Sequence, residues 1–163
     1  MIGFTDLSRE ERALYNSAFT GLVTARAVQG HQDHYRRRCP VAVAVLSAVM
    51  ALQPSIRHAL PNTTRSGLIR WLEENRAVKV AMADNATALS AVVRPGLLLA
   101  LQTQMLYCAD DGRLGVTTGR LKKVITGGTD EVIAIQKAAH MLGRWLPSAG
   151  SLSTVMTLLG VRP

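Results

Sequence analysis

The run Val41–Leu52 constrains the fold of this chain more than any other stretch: it is apolar throughout except for Ser47 and stands directly behind Pro40. A first helical turn tolerates proline, because the missing N–H would have had no partner there, so the run reads as a helix that begins just after Pro40. A helix apolar on nearly every side has no face to offer water and belongs at the centre of a core. It is also too short for a bilayer, which takes about 20 residues to cross. The expectation is a buried hub with other helices packed round it. Composition points the same way. Apolar residues make up 48% of the 163-residue chain and aromatics only 4%, an alanine, leucine and valine economy that suits close helix packing better than a sandwich or barrel. A chain this long buries roughly two-thirds of its unfolded surface, so residues 1–163 are expected to form one domain without help from a cofactor or disulfide. Cys39 and Cys108 lie far apart, and no basic-then-apolar leader opens the chain. Reduced thiols in the cytoplasm are therefore expected.

Ahead of the hub, Asp6 or Ser8 followed by Glu10 or Glu11 marks a helix start, and Leu14, Ala18, Gly21, Leu22 and Ala25 continue one face to about Val28. Gly30 to Pro40 is polar, charged and without period, a loop or a frayed helical extension, and the most exposed segment of the chain. After the hub, Pro54 and Pro61 bracket one or two helical turns. Thr63 or Thr64 then caps a helix with Leu68, Ile69, Trp71 and Leu72 on its apolar side and Arg70 one turn before Glu74, ending near Asn75. Residues 76–93 continue as helix, with a potential break at Asp84-Asn85, and Arg94-Pro95 forces a new start for a helix to about Met105.

The period then changes. Leu106-Tyr-Cys-Ala and Arg113-Leu-Gly-Val-Thr117 alternate on either side of Asp110-Asp111-Gly112, a tight hairpin turn that wants positive φ at its centre. Helix then hairpin is the outline of a wing. Gly127-Gly128 make a hinge, Thr129 or Asp130 caps a long helix, and Val132, Ile135, Ala139, Leu142 and Leu146 form its stripe up to Pro147. Ser151 starts a last short helix with Leu152, Val155, Met156 and Leu159 on one face, and Gly160 and Pro163 stop it. The fold class expected is mostly α, a compact helical domain with a small β-hairpin, winged-helix-like in outline.

Charge supplies the candidate contact residues. The formal net charge is +8, which raises association rates with nucleic acid or an acidic protein without choosing between them. Arg36, Arg37 and Arg38, beside His34 and Tyr35, are the densest cluster; they can clamp phosphates while Tyr35 stacks, and the plain alternative is a solvated loop. Arg113, Arg120, Lys122 and Lys123 fall on and after the hairpin, where winged-helix proteins often meet a phosphate backbone. Base reading is not expected, because the helix before the hairpin opens with two apolar turns, looks buried and offers only Gln102, Thr103 and Gln104 to a base edge. Any nucleic acid would be held by its backbone.

Other chemistry finds little footing. His31 and His34 with Cys39, to which Asp33 could add an oxygen, do not make a complete ligand set and face Arg36–Arg38, which repel a cation, so no metal is expected. Nothing activates Cys39 beside His34 as a nucleophile. Gly115-Val-Thr-Thr-Gly119-Arg-Leu-Lys122 lacks both the Lys-Ser/Thr ending and the strand-loop-helix setting of a phosphate loop. Glu73-Glu74 and Asp110-Asp111 are adjacent pairs, not an acid and base facing across a cleft. Trp71 and Trp145 read as core or interface anchors.

Taken in order, these features resemble the middle component of three-component ABC systems, small adaptors of Lamassu-like bacterial and archaeal conflict systems. Asn16-Ser17-Ala18-Phe19 is similar to the family's Asn-Pro-Ala-Phe opening, with Ser17 in place of the usual proline. The apolar helix to Arg57 and Leu60-Pro61 follows, then Thr64 to Leu72 with Ser66, Leu68 and Trp71. The hairpin at Asp111-Gly112, Gly143-Arg144-Trp145 and the closing Leu159-Gly-Val-Arg-Pro163 complete the match. The Arg36–Arg38 run stands outside the family pattern. The resemblance implies a non-enzymatic adaptor with no catalytic residue and no cofactor. Its implied partners are an SMC or Rad50-like ABC ATPase and an effector, often a nuclease, in a system directed against phage or plasmids. A winged-helix module that contacts the nucleic-acid backbone, DNA included, is the alternative.

Overall fold

The computed structural model describes residues 8–162, and among them eight α-helices and one two-stranded sheet make up the fold. Asp6 and Pro163, two expected helix signals, lie outside the described residues. Ser8 caps α1 (Arg9–Leu14) through a capping box: its hydroxyl accepts from the Glu11 N–H while the Glu11 carboxylate accepts from the Ser8 N–H. The single first helix expected to reach Val28 is two helices. Asn16 accepts from the Phe19 N–H at 2.9 Å and starts α2 (Ser17–Tyr35), so an Asn well suited to cap a new helix divides the segment.

Helix α2 passes Val28 and Gly30 and ends only at Tyr35. The segment expected to be the most exposed therefore holds buried Gly30 and His31, and Cys39 is fully buried. Packing overrides the poor helix propensity of glycine here. A Cβ on Gly30 would lie 1.9 Å from the His140 carbonyl oxygen, and one on Gly143 would lie 2.0 Å from that of Ala27. The backbones of α2 and α7 (Asp130–Trp145) touch through these two glycines.

Helix α3 (Val41–Leu52) follows Pro40 as expected and buries all of its length from Val43 except Val45. The central role, however, is shared with α2, which packs against α3, α6, α7 and β2. Its small residues explain why: a thin helix lets neighbours approach from several sides. Two apolar clusters result. The larger joins α3, α5, α6, α7 and the final helix, and the smaller seats the hairpin on Ala25, Val28, Cys39 and Ala44.

Helix α4 (Pro54–Ala59) is the short segment bracketed by prolines. Helix α5 (Leu68–Glu74) starts later than the expected Thr63 or Thr64 cap, at Gly67 and without a side-chain cap. Helix α6 (Arg76–Gln102) runs unbroken through both Asp84-Asn85 and Pro95. An internal proline costs about 3 kcal/mol. Here the stripe Val78, Met82, Ala86, Leu89, Val93, Gly96 and Ala100 is buried on both sides of it, which offsets that cost and keeps the helix continuous. Asn85 stays helical, and its side-chain amide donates to Oε1 of the buried Gln53 at 3.1 Å.

Strands β1 (Leu106–Cys108) and β2 (Leu114–Val116) form the expected hairpin, with Gly112 at φ +76° in its turn. Thr129 caps α7, and Ile135, Ala139, Leu142 and Leu146 of its stripe are buried. Ser151 caps α8 (Leu152–Leu158), whose end is closed by Gly160 at φ +72° and by the Val161 N–H donating to the Met156 carbonyl. No helix among the described residues is long and apolar enough to cross a membrane.

Candidate functional site

The two basic clusters, separate in sequence, meet in part. Arg36 ends α2 as its C-cap in the left-handed region, φ 56°, an uncommon place for a residue with a side chain. Its N–H donates to the Gln32 carbonyl at 2.9 Å. Three residues on, Cys39 exchanges two backbone hydrogen bonds with Leu114 of β2, at 2.9 and 2.8 Å. The arginine segment is thus tied to α2 at one end and to the hairpin at the other. It forms an open recess of about 720 Å³ with Arg113, lined also by Gln32, Asp33, Tyr107 and Asp111. Arg120, Lys122 and Lys123 do not line it; they are exposed on the loop beyond β2.

Aromatic rings hold two of the guanidinium groups. Arg37 sits 5.5 Å from the Tyr35 ring centroid and Arg38 5.9 Å from that of Tyr107, within cation–π range. Tyr35 is not the free stacking surface expected. Its hydroxyl donates to the Arg144 carbonyl at 2.7 Å and its ring packs on His31 and His34. Tyr107 is the exposed ring at the recess, and sequence reasoning missed it. Its signal was the alternation of β1, in which Leu106 faces in and Tyr107 faces out. The ring lies across Gly115, its partner on β2, where a Cβ would come within 2.3 Å of it. Gly115 is therefore room for a tyrosine, not part of a phosphate loop.

Arg26 was also missed, although it is a lone charge inside the apolar stretch Val23–Val28. It is 5% exposed and has no carboxylate partner among the described residues. Its Nε donates to Gln136 at 2.9 Å, and one terminal nitrogen donates to Gln29 at 3.0 Å and to the Lys122 carbonyl. Burial lowers the pKa of its guanidinium. Three neutral oxygens hold the charge, and one of them fixes the basic loop to α2. Gln29 donates to the same Lys122 carbonyl, and Gln32 accepts from the Val116 N–H at 2.9 Å.

The nucleophile and metal candidates have other roles. Burial pushes the Cys39 thiol up to about 12, so no thiolate is at hand near neutral pH. Among the described residues no His, Cys, Asp and Glu side chains gather in a metal-holding group of three. His31 is 1% exposed, with Nδ1 3.3 Å from the Arg37 carbonyl. Burial, then the charges of Arg37, Arg113 and His34, keep its pKa below the usual histidine range despite that contact. Burial lowers His140 too, against the pull of Asp33 at 3.5 Å.

These imidazoles set a pH dependence. The unfolded chain takes up protons near pH 6.5, whereas the folded chain resists doing so until lower pH. Stability is thus complete above about pH 6.5 and falls below it, by up to about 1.4 kcal/mol per pH unit for each histidine in its window. Thermal melts from pH 7.5 to 5 should be flat at first and then decline. His31→Gln should shallow the decline, and an unchanged slope would remove His31 from the account.

A protein-family model described as ABC-three component (ABC-3C) system Middle Component 3 matches residues 4–163. Neither a curated protein nor a solved structure matches the chain. The match takes in every element described above, from the capped first helix through the hairpin to the closing helix. The chain belongs to the ABC-three component system Middle Component 3 family.

Proposed function

We propose that this chain is a non-enzymatic adaptor that links an SMC or Rad50-like ABC ATPase to an effector, often a nuclease, in a prokaryotic system directed against phage or plasmids. The family match over residues 4–163 carries this proposal. The packing is compatible with it. Backbone contact between α2 and α7, and a hairpin clamped to the α2–α3 connection, give a body that can transmit a displacement without dissipating it in side-chain rearrangement. An adaptor of this kind acts by binding one nucleotide state of the ATPase better than another. It can shift the effector only by that difference in affinity. The proposed setting is the cytoplasm, away from membranes.

The test is co-expression with the neighbouring genes of its operon, followed by sizing with light scattering at low and moderate salt. A co-eluting complex with the ATPase that survives moderate salt is expected. Elution of the chain alone under both conditions would overturn the adaptor role.

A further inference from the structure

Four arginines, Arg36, Arg37, Arg38 and Arg113, gather at the recess, and among the described residues none of them forms an ion pair. The ion pairs among those residues are Arg57–Glu131, Arg70–Glu74 and His140–Asp33. The two carboxylates in the lining each have another contact, although the charge of Asp111 also acts on Arg38. Asp33 faces His140, and Asp111 Oδ1 accepts from the Arg113 N–H at 3.0 Å. With four arginines and two aspartates, the lining carries a net charge of +2. The guanidinium groups of Arg37 and Arg38 already lie over rings, 5.5 and 5.9 Å from the centroids, so less freedom is lost when they grip an oxyanion.

The second cluster extends the first. Arg26 and Gln29 hold the Lys122 carbonyl, and Gln32, which lines the recess, holds Val116. Positions 26, 29 and 32 follow one face of α2 at about 4.5 Å per three residues. The loop with exposed Arg120, Lys122 and Lys123 is therefore tied down within roughly two to three helical turns of the recess, about 11–16 Å. Cations repeated over that distance suit a chain of phosphates better than one small anion.

A protein partner is the competing class. Protein interfaces are anchored by a fully buried apolar centre, whereas nucleic-acid interfaces are more polar and far more positive. Of the recess lining, only Tyr107 is a large exposed apolar side chain, and Arg38 already covers part of its face. We infer that the Arg36–Arg38 and Arg113 recess, with the Arg120–Lys123 loop beside it, is a contact site for the phosphate backbone of nucleic acid that does not read sequence. This goes beyond the adaptor role and does not depend on it.

The test uses the full chain and two labelled DNA duplexes of unrelated sequence, followed by fluorescence anisotropy at about 50 and 200 mM salt. Four phosphate contacts give a log–log salt slope near −3.6, at about −0.9 each, so affinity should drop roughly 100-fold across that range, equally for both duplexes. The triple variant Arg37→Glu, Arg38→Glu, Arg113→Glu should lose at least about tenfold at the lower salt and flatten the slope. It spares Arg36, the C-cap of α2. The matching Lys variant should keep most of the binding, and Asp111→Asn should tighten it. Melting temperatures near that of the parent establish that each variant is folded. Parent-like binding by the folded Glu variant would overturn the inference, as would binding of poly-glutamate but not duplex, which would mark an acidic-protein surface. A tenfold preference between the duplexes would overturn the sequence-independent part. Loss of the ATPase complex is read separately, by co-elution, and tests the adaptor role alone.

Discussion

Gly143→Ala is expected to destabilise the protein by about 2–3 kcal/mol, lowering the melting temperature by roughly 5–10 °C. Alanine favours a helix by about 1 kcal/mol over glycine, so propensity alone predicts the opposite sign. Packing decides. The new Cβ would meet the Ala27 carbonyl oxygen at 2.0 Å and its carbon at 2.8 Å, all backbone, so no rotamer change can relieve the overlap. Helices α2 and α7 must part, and the contacts between Ala27–His31 and Ala139–Gly143 loosen with them. Gly30→Ala should act alike through the His140 carbonyl at 1.9 Å. The double variant should cost less than the sum, because helices already separated by one Cβ make room for the other. Gly67→Ser is the control: a Cβ there meets nothing within 4 Å, and serine caps at least as well, so stability should move by only a few tenths of a kcal/mol. Calorimetry of the four variants checks this, and a Gly143→Ala protein that melts with the parent would mean the helices stand farther apart than described.

What could be foreseen of this fold follows a physical division. Helix ends set by a side chain and its own next turn were legible at Ser8, Thr129 and Ser151, as was the Gly112 turn. Those interactions are complete within four residues. What required distant partners was not. Pro95 stays inside α6 because a buried stripe continues on both sides of it, and α2 runs past Gly30 because α7 needs a residue without a side chain there. The site divides in the same way. Both basic clusters were visible as charge, but their meeting depends on the Cys39–Leu114 bridge, a pairing between residues far apart in the chain. Tyr35 looked like the stacking ring by proximity to the arginines, yet its hydroxyl is held by Arg144 of α7 and Tyr107 takes the exposed position. Arg26 was overlooked because an arginine in a helix usually faces water. Only the fold shows Gln29, Gln136 and the Lys122 carbonyl gathered around it.

Trp145→Ala is expected to be the most damaging single change, at about 3–5 kcal/mol. Trp145 is 1% exposed and Trp71 4%, and the two rings meet edge to face with centroids 5.2 Å apart. Each indole also fixes a backbone oxygen: Trp145 Nε1 donates to Ser66 at 2.7 Å, and Trp71 Nε1 donates to Ala59 at 2.8 Å. The pair therefore holds both ends of the connection between α4 and α5, besides filling the core beneath it. Trp71→Ala should cost a similar amount. The edge-to-face contact itself is worth about 0.5–1.5 kcal/mol, so the double variant should fall short of the summed single losses by about that coupling. Trp145→Phe separates the ring from its N–H. It keeps most of the apolar burial but leaves the Ser66 carbonyl without its donor, and because Ser66 is exposed, water can replace that bond at a cost of about 1 kcal/mol or less. Chemical denaturation of the four proteins measures these terms. Strict additivity of Trp71→Ala and Trp145→Ala would show that the rings contribute as independent fillers, and the connection between α4 and α5 would then owe its position to the two hydrogen bonds alone.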